Sequence, residues 1–166
     1  MSEKNKQIAQ GIYNEAVGCG VSPLFITAQA CWETGWMRSK IGEFNLWGVK
    51  ATSSWKGKRV LIRTTEILKK QPVLQVGERI VSCVKLKTGN NKYVAELWFR
   101  DYDSLHEAIL DHNKVLEGFT EAWKYRNDPI KFVELLQSGT KKYATDPNYA
   151  ENIKSMYKTL ARLGIR

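Results

Sequence analysis

Between Arg59 and Phe99 the apolar residues alternate with polar ones, whereas on either side of that stretch they recur at helical spacing. No other feature restricts the possible folds as tightly. A repeat of about 3.6 residues turns one face of a helix inward, and a repeat of 2 sends successive side chains to opposite faces of a strand. A chain that switches from the first pattern to the second and back again holds a small sheet inserted among helices. The strands expected are Arg59–Ile67, Arg79–Lys87 and Lys92–Phe99, with Thr88-Gly89-Asn90-Asn91 as the hairpin turn between the last two. Pro72 argues against a central strand in Leu68–Gly77. The expected fold class is α+β, with a helical lobe over about 1–57 and 100–166 and an antiparallel β lobe over about 58–99. A length of 166 residues suits a single domain with a core of its own.

Start and stop signals divide the helical parts. Ile8, Ile12 and Ala16 give one buried face to a helix over Glu3–Val17, which Gly18-Cys19-Gly20 ends. Ser22-Pro23 opens the next helix, the serine as cap and the proline at the first helical position, and Thr34-Gly35 closes it. Trp36–Lys50 then reads as a loop. Ser104-Leu105-His106-Glu107 has the form of a capping box ahead of a helix whose inner face is Leu105, Ile109, His112 and Leu116, ended by Gly118. Asp128-Pro129 and Asp146-Pro147 repeat the cap-plus-proline signal and predict helices reaching Gly139 and about Leu163, the last burying Tyr149, Ile153, Tyr157 and Leu160.

This division leaves Glu33 in the last turn of its helix, with Trp32, Trp36 and Trp47 nearby in sequence. The C-terminal end of a helix disfavours a carboxylate, and aromatic rings remove water from it, so both effects raise the pKa of Glu33. A carboxyl that keeps its proton near neutral pH is suited to protonate the leaving oxygen of a glycosidic bond. A glutamate in a final helical turn is more often a solvated surface residue, and the tryptophans are what set this one apart. Glycoside hydrolysis commonly needs a second carboxylate. Glu66, in Thr64-Thr65-Glu66 of the first strand, is the main candidate, facing either a cleft or solvent, with Glu43, Asp101 and Asp111 weaker ones.

Lysines and arginines exceed acids by 26 to 17, a net charge of +9, which favours an anionic partner: nucleic acid, a membrane surface or a wall rich in phosphate and carboxylate. No zinc-finger, basic-zipper or RNA-platform signature accompanies the charge, so no specific nucleic acid is expected. Lys154, Lys158, Arg162 and Arg166 form a basic stripe on the last helix, either a solvated face or a dock for anionic wall polymers or membranes. Cys19, Cys31 and Cys83 are odd in number and lack Cys-x-x-Cys spacing, against a disulfide framework or a zinc site and in favour of synthesis in the cytoplasm. The first residues, MSEKNKQIAQ, do not read as a signal peptide, and no stretch approaches the ~20 apolar residues of a membrane span. Cys31 with His112 suggests a thiol peptidase, but a position late in a helix opposes thiolate formation. His106 and His112, six residues apart, do not share a helical face, and no metal or other cofactor is expected. Tyr143, ahead of Asp146-Pro147, is either a core ring or a hydroxyl directed into a cleft.

Several ordered blocks carry a resemblance. They are Ala28-Gln29-Ala30 through Glu33-Thr34-Gly35-Trp36; Asn45 to Ala51 with Trp55-Lys56-Gly57; Thr64-Thr65-Glu66; and Phe99 to Tyr102 with Ser104 and Asp111, followed by Tyr143 to Pro147 and Tyr149-Ala150. In this order they resemble the flagellar-type β-N-acetylglucosaminidases, glycoside hydrolase family 73 of the lysozyme superfamily, which cleave bacterial peptidoglycan. The resemblance implies a lysozyme-like fold with a cleft between the lobes and one catalytic domain over residues 1–166. It matches Glu33 to the catalytic acid, Glu66 to the second carboxylate and Tyr143 to a cleft tyrosine; Trp36, Trp47, Asn45 and Asp111 are the implied substrate-binding residues. Three positions depart from the family pattern: Met37 where glycine is common, Trp47 for phenylalanine and His112 for tyrosine.

The implied reaction is hydrolysis of the β-1,4 bond after N-acetylglucosamine. Glu66 either activates water or leaves the attack to the substrate's N-acetyl group. A basic, single-domain wall hydrolase without a leader most resembles a monomeric phage endolysin that reaches the wall after holin release, or a virion component; a bacterial enzyme exported by another route or released by lysis has the same composition. A muramidase or lytic transglycosylase, and a non-catalytic wall-binding protein, are the alternatives.

Overall fold

A computed structural model describes residues 2–166. Six helices and three strands follow in the order α1 (Glu3–Ala16), α2 (Pro23–Glu33), β1 (Arg59–Leu68), β2 (Arg79–Lys85), β3 (Asn91–Arg100), α3 (Leu105–Glu117), α4 (Thr120–Trp123), α5 (Pro129–Leu136) and α6 (Tyr149–Arg162). The architecture is the α+β arrangement expected, a helical lobe interrupted by a three-stranded antiparallel sheet in the order β1-β3-β2.

The core of the helical lobe forms around α2, whose residues from Phe25 to Cys31 are all buried. Such a helix, apolar on nearly every side, has to sit at the centre of its lobe. α1 covers it with Ala9, Ile12 and Ala16, and α6 with Tyr149, Ile153, Met156, Tyr157 and Leu160. Phe25 meets Phe132 of α5 edge to face at 4.8 Å. The sheet has a smaller core of its own, Ala95, Leu97 and Phe99 on one face of β3 with Val60, Ile62, Leu74 and Ile80 against them.

Local chemistry explains most boundaries. Ser22 accepts the Phe25 N–H and Asp128 accepts those of Ile130 and Lys131, as the cap-plus-proline signals required. Two signals behave differently. Asp146 accepts the Asn148 N–H at 2.8 Å in a turn ahead of α6, which therefore begins at Tyr149 rather than at Pro147. At α3 the serine of the capping box accepts the Glu107 N–H, but the Glu107 carboxylate takes the N–H of Asp103, one residue earlier than expected. α5 ends at Leu136, short of Gly139, and the single-turn α4 had no counterpart in the sequence patterns.

The loop between α2 and β1 ties the lobes together. Asn45 donates to the carbonyls of Val49 and Arg100 and accepts the Val49 N–H. The Asp101 carboxylate accepts the N–H groups of Glu43, Phe44 and Tyr102. Gly42, at φ 57°, passes so close to Asp101 that a Cβ there would collide with its carboxylate.

Candidate active site

Glu33 is the last residue of α2, and the turn after it is tightly held. Thr34 is buried; its hydroxyl donates to the Ala30 carbonyl at 2.7 Å and accepts the Met37 N–H at 2.8 Å. Gly35, Trp36 and Met37 all have positive φ, at 53°, 63° and 64°, and the Trp36 N–H bonds the Cys31 carbonyl at 2.9 Å. Met37 thus occupies a left-handed position that glycine takes without strain, which accounts physically for the glycine common there in the family pattern. The chain turns sharply at this point and leaves the Glu33 side chain at the surface.

Although the residue is exposed as a whole, atoms around its carboxyl remove enough water that burial pushes its pKa upward. The expected cover by tryptophan is only partly present, because Trp32 is 42 % exposed and points outward. Tyrosines are the neighbours that feel the charge. Desolvation and then the Glu33 charge raise Tyr143, while the nearby Gln29 amide acts in the opposite direction. Desolvation, Tyr143 and Glu33 raise Tyr149. Tyr143 is accordingly a packed ring, 5.4 Å from Tyr149 and 5.8 Å from Phe119, whose hydroxyl feels the Glu33 charge.

A buried polar chain underlies this group. Gln29, one turn before Glu33 on α2, donates through Nε2 to the Tyr149 hydroxyl at 2.7 Å, and its Oε1 lies 2.8 Å from His112 Nε2. With Oε1 as the acceptor, His112 carries its proton on Nε2. Burial lowers the His112 pKa to about 3, so the ring is neutral. The ring is stacked on Trp47, centroids 4.5 Å apart and planes 1° from parallel. Two of the three departures from the family pattern are therefore in contact, a larger ring replacing phenylalanine where a smaller one replaces tyrosine. Gln29 was not singled out in the sequence; its place four residues before Glu33, on the same helical face, was the available signal.

The other sequence candidates divide clearly. Glu66 projects from the face of β1 that carries Thr64, in register with Tyr93 of β3, and Lys50 Nζ holds its Oε1 at 2.9 Å. Because Lys50 is half exposed, that pair contributes little stability, but it fixes the carboxylate in place. Trp36 is half-buried beside the strained turn, whereas Trp47 is 9 % exposed and too covered to offer a whole ring face to a sugar. Asn45 has both amide donors and its oxygen engaged by backbone, so the substrate contact expected of it is replaced by a scaffold role. Asp111 also serves the frame, through one of its two oxygens. It accepts from Arg100 Nη1 at 2.7 Å and from the Tyr102 hydroxyl at 2.8 Å, anchoring the end of β3. The 360 Å³ cavity that Asp111 borders, with Trp55, Lys58, Tyr102 and Lys114, includes none of Glu33, Glu66 and Tyr143. Asp101 is likewise held by backbone N–H groups. The thiol reading fails on geometry: Cys31 is buried, its pKa pushed up to about 12, and His112 points its Nε2 at Gln29.

A helical lobe with a desolvated carboxyl at a helix end, joined to a small antiparallel sheet that carries a second carboxylate, places the chain among the lysozyme-like α+β folds. More narrowly, the chain belongs to the glucosaminidase family, whose model, described as mannosyl-glycoprotein endo-beta-N-acetylglucosaminidase, matches residues 9–162. It is 35% identical over 150 residues to the peptidoglycan hydrolase FlgJ of Salmonella typhimurium, a match covering 85% of this chain and 40% of that relative. The chain thus spans less than half the length of that protein. Among solved structures, a peptidoglycan hydrolase mutant from Sphingomonas sp. A1 superposes with a TM-score of 0.69 at 28% identity, over 95% of this chain and 97% of the other. A C-terminally truncated glycoside hydrolase domain of Salmonella typhimurium FlgJ gives 0.68 at 30% identity, over 95% and 98%.

Proposed function

We propose that the chain is a peptidoglycan hydrolase that cleaves the β-1,4 bond after N-acetylglucosamine, with Glu33 as the general acid. The observation that carries this reading is the Glu33 carboxyl, its pKa raised by burial, at the C-terminal end of α2, where its charge is felt by Tyr143 and Tyr149. Family membership and the likeness to peptidoglycan hydrolases support the substrate.

In the first step the Glu33 proton passes to the glycosidic oxygen while the bond from that oxygen to the anomeric carbon breaks, leaving Glu33 ionised. Tyr143 steadies the carboxyl. Trp36 borders the sugar, and Trp47 with His112 forms the floor beneath. Glu66 serves the opposite face of the sugar, either as the base that takes a proton from attacking water or as the group that orients the N-acetyl amide when its oxygen attacks the anomeric carbon. The first released anomer separates these routes: α with water as nucleophile, β with the amide.

Glu33→Gln is expected to abolish release of reducing ends from purified peptidoglycan while leaving the melting temperature close to that of the parent. Full activity in that variant overturns the assignment. Mass spectrometry of the products is expected to show N-acetylglucosamine at the new reducing end. Muramic acid or its anhydro form there makes the protein a muramidase or a lytic transglycosylase instead, and binding without any cleavage makes it a wall-binding protein. Bacteriolysis in the manner of an endolysin or virion component belongs to the same reading: expression in the cytoplasm is expected to lyse cells only when the inner membrane is permeabilised.

A further inference from the structure

The positive charge of the chain is concentrated in the sheet. Between Arg59 and Arg100, nine lysines and arginines stand against three glutamates, a net +6 of the chain's +9. Within the sheet the two ends differ. Toward the root the cations have partners: Arg63 and Arg79 both bond Glu96, at 2.7 and 2.6 Å, Arg100 bonds Asp111, and Arg59 lies over the Trp98 ring at 4.4 Å. Lys58 pairs with Asp103, and Lys50, from the preceding loop, holds Glu66.

At the opposite end the register places Leu68 of β1 and Lys85 of β2 on either side of Asn91 of β3. The end of β1, the end of β2 and the start of β3 therefore form one tip, about 10 Å across at ordinary strand spacing. Lys69, Lys70, Lys85, Lys87 and Lys92 all lie there, all exposed. None of the five makes an ion pair among the described residues. Backbone contacts fix the frame that carries them: Asn91 Nδ2 donates to the Lys69 carbonyl at 3.2 Å, and the Leu86 N–H to the Asn90 carbonyl at 2.8 Å.

Five like charges on so small an area repel one another and oppose the compact state. Folding does not account for them. Lysines on an edge strand hinder unwanted pairing, but Lys69, Lys70 and Lys87 lie beyond the strands and Lys92 is on the central one. All five are lysines, compact point charges on flexible stems that follow a mobile anion, without the rigid fork that arginine offers to a single carboxylate. A bilayer surface fits less well. Ile67 and Val84 flank Lys92, but no tryptophan or tyrosine is exposed at the tip to settle among lipid headgroups; Tyr93 is buried on the inner face.

We propose that the lysine-bearing tip of the sheet docks a linear polyanion of the bacterial wall, presenting repeated phosphate or carboxylate groups, and so holds the β lobe beside the glycan. This rests on the reading of the chain as a wall hydrolase. Lys69 follows Glu66 by three residues, roughly 10 Å along an extended chain, so a polymer held at the tip lies close to the proposed second carboxylate.

The test compares the full chain with a variant carrying Lys69, Lys70, Lys85, Lys87 and Lys92→Gln, and with a control in which Lys4, Lys6, Lys131, Lys142 and Lys158 are changed to Gln. Binding to poly(glycerol phosphate) and to polyglutamate at low salt is expected to weaken roughly tenfold or more in the tip variant and to change little in the control. Binding by the parent chain to only one polymer identifies the anion as phosphate or carboxylate. Equal losses in both variants show an effect of net charge alone and overturn the proposal, as does failure of the parent chain to bind either polymer. Tighter binding of the parent to phosphatidylglycerol vesicles than to both polymers overturns it in favour of a membrane. Cleavage of soluble chito-oligosaccharide by the tip variant is expected to match the parent. Absence of cleavage in the parent counts against the glucosaminidase reading, while polymer binding still decides the tip.

Discussion

His112 is a titratable group that the fold holds uncharged. Its ordinary pKa is near 6.5 and burial lowers it to about 3 in the folded chain. The group is thus neutral in the folded state over a range in which the unfolded chain takes up a proton. Its contribution to stability is fully present above pH ~6.5 and is lost as the pH falls toward about 3. Denaturant titrations over that interval are expected to show a slope of up to about 1.4 kcal/mol per pH unit that His112→Gln removes; an unchanged slope places the acid sensitivity elsewhere. The stack of His112 on Trp47 supports a second expectation. Trp47→Phe alone leaves a void and His112→Tyr alone overpacks, each costing about 1–3 kcal/mol. The double variant is expected to recover about 1 kcal/mol or more relative to the sum of the two, and strict additivity refutes compensation between the rings. At this scale the sequence exposed Glu33 and Glu66 through position and residue type, but it placed Asn45 and Asp111 among ligands. No sequence pattern indicates that the Asn45 amide is engaged by Val49 and Arg100, or that one Asp111 oxygen accepts from both Arg100 and Tyr102.

The element on which the site depends is the loop from Thr34 to Lys50. Two knots shape it, the Thr34 hydroxyl at the end of α2 and the Asp101 carboxylate at the end of β3. Gly42→Ala tests the second, since the substitution meets both a left-handed φ and the Asp101 side chain. A loss of about 2 kcal/mol or more is expected in chemical denaturation, together with weakened activity, because the same knot sets Trp47 and Lys50. A loss below about 0.5 kcal/mol shows that the loop holds without it. Elements with a strong period or cap, namely α1, α2, β1 and β3, were legible from the sequence nearly to their ends. The one-turn α4 was not, because four residues cannot establish a period, and the start of α6 was misplaced because Asp146 forms a turn before the helix instead of capping it.

As a whole molecule the protein has two cores of unequal size. The large one centres on α2, while that of the sheet is a cluster of three buried residues, Ala95, Leu97 and Phe99. Local opening of the sheet therefore exposes much less apolar surface than opening of the helical lobe. Hydrogen exchange is expected to protect the amides of Val94–Glu96 less than those of Ala28–Cys31, and equal protection shows that the two lobes unfold as one unit. The change of period between Arg59 and Phe99 foretold this division; the location of unpaired charge within it did not follow from composition, because it depends on which arginines meet Glu96. With β3 in the centre, β1 and β2 are both edge strands, yet along β2 the pairing is interrupted by a shift of register between Ile80 and Ser82. A second strand laid against β2 would meet a kinked edge carrying Arg79 and Lys85, a poor template for growing fibrils. Straightening the edge by deleting Val81, the residue skipped by the pairing, is therefore expected to favour aggregation, read as light scattering on concentration.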